Sequence, residues 1–265
     1  MRQQHTLIYR ISSIACMLFF CVFVNAQNDS IVDTTDDSKT IKLKYGLRIG
    51  GDIGKLTRSF LDDDYSGFEI MADYRLKEKL YIAGEIGFEE KNTVNDYLDI
   101  TTKGSYIKGG VDFNMYQNWL DMDNMIYAGF RVGASTFSHD LNNYTVYSID
   151  QYWEPQFTSS TKQELTGLTA FWAEIILGMK AELFNNLYIG LNVQLKVSVS
   201  QTIPNNFDNI YIPGFGKTYD SSGIGVGYSY FLAYRIPLYK KTKQSKPAEF
   251  TKPDKESRPT PRNRP

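Results

Sequence analysis

His139 is the only histidine after residue 26, and it stands in the run Ser138-His139-Asp140. Near neutral pH an imidazole is the side chain most often used as a general base, activating a hydroxyl or a water. A hydrolase or an acyltransferase could be centred on it. Adjacent residues of an extended chain point to opposite faces, so these three side chains cannot themselves form a triad. A partner would have to come from elsewhere, such as Asp52 or the run Asp62-Asp63-Asp64. The ordinary reading of His139 is a solvated loop histidine.

The acidic runs offer a second chemistry. Asp62, Asp63 and Asp64, or Asp121, Asp123 and Asn124, could supply oxygen ligands to calcium. Neither run has the spacing of a calcium-binding loop. Acidic loop tips and strand ends, Glu89-Glu90 among them, are ordinarily just solvated. No cofactor is expected. Cys16 and Cys21 both precede residue 27, so the rest of the chain has no thiol, disulfide or cysteine-bound metal.

The elements that must position these residues are strands. From Thr40 onward, apolar and polar residues alternate strictly, the period-two mark of a strand with unlike faces. Ile41, Leu43, Tyr45, Leu47 and Ile49 share one parity, opposite Lys42, Lys44, Gly46, Arg48 and Gly50. Similar runs occupy 67–77, 80–89, 107–115, 126–135, 171–182, 187–199 and 224–238. Each has about the ten residues that a tilted membrane strand requires. Short links near 77–79, 116–124 and 184–186 alternate with long ones near 52–65, 90–106, 136–164 and 201–222. Even-stranded membrane barrels join their strands in this way, with short periplasmic turns and long extracellular loops.

Both ends of the chain differ in composition. Residues 1–26 have Arg2, His5 and Arg10 ahead of a mostly apolar stretch from Ile11 to Val24, then Val24-Asn25-Ala26. That is the pattern of a cleaved signal peptide, too short for the roughly 20 residues of a transmembrane helix. Cleavage would leave Gln27 first. Residues 27–39 are polar and acidic and read as a flexible leader, ahead of a barrel over 40–239. Residues 240–265 carry nine basic residues against three acidic ones, with five prolines, and read as a disordered tail. The tail is either a spacer or an electrostatic tether to a periplasmic or envelope partner. No nucleic-acid partner is expected; the expected surroundings are outer-membrane lipid.

Periodicity alone cannot say which parity faces outward, because a soluble lipocalin-like barrel alternates identically. Two features favour the membrane. The polar parity mixes glycine with charges of both signs: Glu69, Asp73, Arg75, Glu85, Arg131, Glu174, Lys180, Lys196 and Arg235. Small residues and paired charges suit the narrow interior of an eight-stranded barrel. Aromatic residues also cap the apolar runs, as Phe68, Tyr74, Phe88 and Phe113 do. Such an interior, narrowed further by Trp172, Arg131 and Arg235, is filled by side chains rather than open to general diffusion.

With eight alternating strands, alternating loop lengths and a last strand carrying Tyr228, Tyr230 and Tyr234, the chain resembles the small OmpA/OmpX-type outer-membrane barrels over residues 40–239. The run Val24-Asn-Ala-Gln27 and the phrases Tyr45-Gly-Leu-Arg-Ile-Gly-Gly-Asp52 and Gly84-Glu-Ile-Gly-Phe88 look like a barrel family of Bacteroidota. That resemblance implies fold and location, and carries no catalytic residues. The expectation is an all-β, eight-stranded antiparallel transmembrane barrel with both termini periplasmic. Its expected role is structural, binding or accessory, without catalysis. An enzyme centred on His139 and a narrow channel are the alternatives.

Overall fold

A strand in hydrocarbon has no water to satisfy its backbone, so each N–H and C=O must find a partner in the next strand until the sheet meets itself. The computed structural model shows that closure over the residues it describes, which are 40–116, 123–146, 157–204, 207–218 and 223–244. In chain order these form β1 (Thr40–Asp52), α1 (Ile53–Leu61), β2 (Tyr65–Arg75), β3 (Leu80–Asn95), β4 (Leu98–Asn114) and β5 (Met125–Val146). Then come β6 (Phe157–Ser159), β7 (Gln163–Phe184), β8 (Leu187–Gln201), β9 (Tyr211–Ile212), β10 (Gly216–Lys217) and β11 (Ile224–Gln244).

Eight long antiparallel strands run in the ring order β1-β2-β3-β4-β5-β7-β8-β11, and β11 returns to pair with β1. Short β6 adds to the end of β5, and β9 with β10 makes a separate small hairpin. The expected signal peptide (1–26), acidic leader (27–39), most of the basic tail, and Asp121 lie outside the described residues. β11 continues to Gln244, past the last alternating residue of the sequence pattern.

The parities fall as the alternation indicated. Ile70, Ile82, Ile107, Phe130, Ile175 and Val193 are exposed on the outer wall, while Arg48, Asp73, Glu85, Arg131 and Glu174 are buried in the lumen. The outer wall is the lipid-facing surface of a transmembrane β-barrel, with stacked Phe68 and Phe88 toward one end and exposed Tyr239, stacked on buried Tyr45, toward the other. Among the described residues no helix is long and apolar enough to cross a membrane; the strands do the crossing.

The strand ends at Thr40 and Gln244, and the links β2–β3, β4–β5 and β7–β8, lie at what we call the terminal end. The β7–β8 link is a tight turn with Asn186 at a positive φ of 70°, which asparagine tolerates better than most residues. Pro237, which cannot donate to a ladder, sits at the bulge where the β1–β11 register shifts.

The other end, the loop end, departs from the sequence expectation. The long loop expected over 90–106 is instead a hairpin: β3 and β4 stay paired as far as Asn95 and Leu98, with the Asn95 side chain accepting from the Tyr97 N–H at 2.9 Å. The loop expected over 136–164 likewise begins as strand, the end of β5 up to Val146, and it holds β6 and the first residues of β7. The link over 52–65 contains α1. Asp52 caps it, its Oδ1 accepting from the Lys55 N–H at 3.1 Å.

Candidate functional site

Glycine and charged residues alternate along the lumen parity, so every charged group there must find its partner across the barrel. They do so in a main ladder and a smaller separate cluster. Asp73 takes Arg48 at 2.6 Å and Lys180 at 2.8 Å, and Lys180 reaches Asp112 at 3.5 Å. Arg131 joins Asp112 (2.8 Å) to Glu85 (3.4 Å), and Lys108 joins Glu85 (2.6 Å) to Glu69 (3.2 Å). Lys55 of α1 closes the loop end of the ladder, bridging Glu69 at 2.9 Å and Glu89 at 2.7 Å. Glu174 lies between Lys108 and Lys196, at 3.9 and 3.8 Å. Nearer the terminal end Asp123 is clamped between Arg75 and Arg235, each at 2.5 Å, and Glu182 pairs with Lys44 and Arg235.

The charges of opposite sign balance within the interior, which makes the lumen a packed polar core. Charge of one sign in so small a space would be prohibitive; neutralised pairs with their remaining hydrogen bonds satisfied are tolerable. Burial alone would lower the Lys55 ammonium, but the Glu89 and Glu69 carboxylates more than offset this and hold it above the ordinary lysine range.

The loop end is sealed by chain that folds inward. The segment 207–218 carries β9 and β10 and buries Ile212 and Phe215 against Tyr106, Phe137, Leu168 and Trp172. Gly214 (φ +81°) lies so close to Tyr106 that a Cβ there would strike the ring. Its N–H donates to Glu89 at 2.9 Å, the Tyr211 hydroxyl donates to the same carboxylate at 2.7 Å, and Lys196 donates to the Gly214 carbonyl at 2.6 Å. Between this segment and α1 is a cavity of about 870 Å³, lined by Lys55, Arg58, Tyr65, Glu89, Lys196 and Tyr211 among others.

His139 is not a solvated loop residue. It lies on β5, 0% exposed, with Nδ1 2.7 Å from the Thr102 hydroxyl and Nε2 3.0 Å from Asn209 Oδ1. The acceptor at Asn209 calls for a proton on Nε2, and in the neutral ring the Thr102 hydroxyl then donates to Nδ1. Phe137 and Phe207 pack edge-on against it. Nε2 thus tethers the 207–218 segment to the wall, and Nδ1 is taken by Thr102 of the neighbouring strand β4. Neither Asp52, which caps α1, nor Asp62-Asp63-Asp64 is brought to it by any described interaction. His139→Ala is expected to cost about 1–3 kcal/mol, the penalty of orphaned buried partners. Urea titration in detergent measures it, and faster protease cleavage near 207–218 should accompany it.

The acidic candidates are protein-bound as well. Asp62 pairs with Arg58 at 3.2 Å and Lys91 at 3.5 Å, and the Asp64 backbone and side chain meet Asn92. Among the described residues no group of three or more acidic, histidine or cysteine side chains is placed to hold a metal ion. Glu89 and Asp123 depart from expectation: in place of a solvated strand end and a solvated loop tip, both are buried anchors of the lumen network. Lys55, Lys108, Tyr106 and Asn209 are participants that the sequence reading did not single out. For Lys108 the alternation was signal enough, since it lies on the polar parity of β4 between Ile107 and Gly109.

A family described as a domain of unknown function (DUF6048) matches residues 6–241. The curated proteins give no match. Among solved structures the chain is similar to Ail, the attachment invasion locus protein of Yersinia pestis. The two are 12% identical with a TM-score of 0.37, over 73% of this chain and 98% of that one.

Proposed function

This chain belongs to the DUF6048 family, and we propose that it is an outer-membrane β-barrel with a structural, binding or accessory role, non-enzymatic, with both termini in the periplasm. The observation that carries the reading is the continuous ion-pair ladder from Arg48 to Glu89, which fills the lumen that a pore would need open. Catalysis on His139 is disfavoured by the use of both ring nitrogens within the fold. The basic tail over 240–265 would then supply the link to a periplasmic or envelope partner, a role that rests on its charge alone.

Membrane separation combined with planar-bilayer recording tests this reading. The full chain should fractionate with the outer membrane, migrate faster unboiled than boiled on a gel, and give no steady conductance. Stable ion-conducting steps would overturn the closed-lumen reading, and recovery as a soluble periplasmic protein would overturn the location.

A further inference from the structure

The ring of strands is not complete to its loop end. Pairing between β1 and β11 stops at Asp52 with Phe231, and between β1 and β2 at Gly51 with Ile70. β2 nevertheless continues to Tyr65, held by β3, and β11 starts at Ile224, held by β8. The wall between β2 and β11 therefore has a notch where β1 is missing. α1 occupies it.

The helix is built for that position. Lys55 reaches inward to Glu69 and Glu89, and Ser59 attaches to the open edge of β2, accepting from the Gly67 N–H at 2.8 Å with its hydroxyl 3.0 Å from the Gly67 carbonyl. On the opposite side Ile53, Leu56, Phe60 and Leu61 are exposed, Phe60 at 86% and Leu61 at 81%. Phe68 and Ile70 of β2, and Tyr228 and Tyr230 of β11, flank the helix with lipid-facing side chains. The apolar face of α1 thus continues the outer belt. Toward β11, α1 packs through Gly54, where a Cβ would stand 3.4 Å from the Tyr230 ring.

The cavity behind α1 has a mixed lining. Its lining includes Lys55, Arg58, Lys91, Lys196 and Lys217, with Glu89 the one carboxylate among the lining residues and Asp62, outside the lining, paired to Arg58 and Lys91. The same cavity is also lined by Ile175, Leu177, Val193, Leu195, Val226 and Tyr228, which belong to the outer wall. The lining thus takes in residues from both faces of the sheet, and the notch beside α1 lies next to Val226 and Tyr228 of β11.

We propose that this notch is a lateral portal, through which an anionic lipid of the surrounding membrane sets its headgroup beside Lys196 and Arg58 while its acyl chains remain on the outer wall. The proposal rests on the membrane-barrel reading above. Lys196 suits the headgroup: its ammonium has three donors, the Gly214 carbonyl takes one, and the nearest carboxylate is at 3.8 Å. The outer residues form an apolar groove for the chains. A water-borne anion would gain nothing from that groove; a lipid gains from both parts.

The test uses the full chain in phosphatidylcholine nanodiscs containing a minor fraction of phosphatidylglycerol, with bound lipid counted by native mass spectrometry after detergent release. Preferential retention of phosphatidylglycerol is expected, falling about tenfold in Lys196→Gln, as for the loss of one charge-assisted contact. Gly227→Leu is the second variant, because a Cβ there first meets the flexible ends of Gln194 and Lys196, so the added side chain crowds the Lys196 site without changing charge. It should also reduce retention. Equal retention of the two lipids, or retention unchanged in both variants, overturns the portal. So does displacement of the lipid by glycerol phosphate alone, which would mark an anion site reached from water. If Lys196→Gln does not fold, Gly227→Leu decides the matter. Loss of the heat-modifiable band in the unsubstituted protein would instead sink the barrel reading, by a separate measurement.

Discussion

Replacing Lys108 by methionine should cost the barrel about 3–5 kcal/mol, the penalty for leaving buried charge without its partner. Its side chain is 1% exposed and its ammonium is shared among Glu69 at 3.2 Å, Glu85 at 2.6 Å and Glu174 at 3.9 Å. Those carboxylates come from β2, β3 and β7, so one lysine on β4 ties three other strands together through the lumen. Methionine fills most of the volume and removes only the charge. Arg131 still reaches Glu85, and Lys55 still reaches Glu69, which keeps the loss below that of dissolving the whole network. Pairing the change with Glu85→Gln should recover part of the loss, because one orphaned carboxylate goes with it. Urea unfolding in detergent micelles, read by gel mobility, measures both. A single variant as stable as the parent would mean that water reaches the lumen freely and screens these charges.

The ladder was legible in the sequence as a set of residues but not as a set of pairs. Alternation marks Glu69, Asp73, Glu85, Arg131, Glu174, Lys180, Lys196 and Arg235 as sharing one face, since lipid and lumen impose opposite chemistry on successive residues. Which cation meets which carboxylate depends on register and shear. Lys180 and Asp73 are 107 residues apart, and nothing local brings them together.

Beyond the membrane belt the signal faded for a physical reason. The upper parts of β3, β4, β5 and β7 are not pressed against lipid, so Lys91 to Asn95 and Thr136 to Asn143 show no apolar parity and read as loop. Burial of His139 was hidden in the same way. Phe137 and Leu141 share its face but do not extend the apolar parity of the membrane belt, and its partner Asn209 lies 70 residues away in a segment with no periodicity. α1 did leave a trace. Asp52 precedes apolar Ile53, Leu56 and Phe60 at helical spacing, a capped amphipathic turn masked by its shortness.

Arginine in place of Val193, near the middle of β8, should cost roughly 2–4 kcal/mol, the depth-dependent cost of a cation on the lipid face of a barrel. Val193 is 55% exposed on the outer wall, between Leu177 of β7 and Tyr228 of β11. The substituted side chain can escape only by snorkelling past other apolar residues toward an interface. One residue along, Gln194 points inward and lines the cavity, so Gln194→Arg has polar surroundings and room to extend. It sits near Lys196, and like-charge repulsion makes it unfavourable, though by less than the lipid-face change. The comparison is between neighbours in one strand with the same substituted residue, which removes strand propensity from the difference. Refolding into phospholipid vesicles over a urea series gives the two free energies directly. Val193→Arg should be the less stable of the two by at least about 1 kcal/mol. The reverse order would assign the outward parity to water and the inward parity to an apolar core, and the transmembrane reading of this barrel would fall with it.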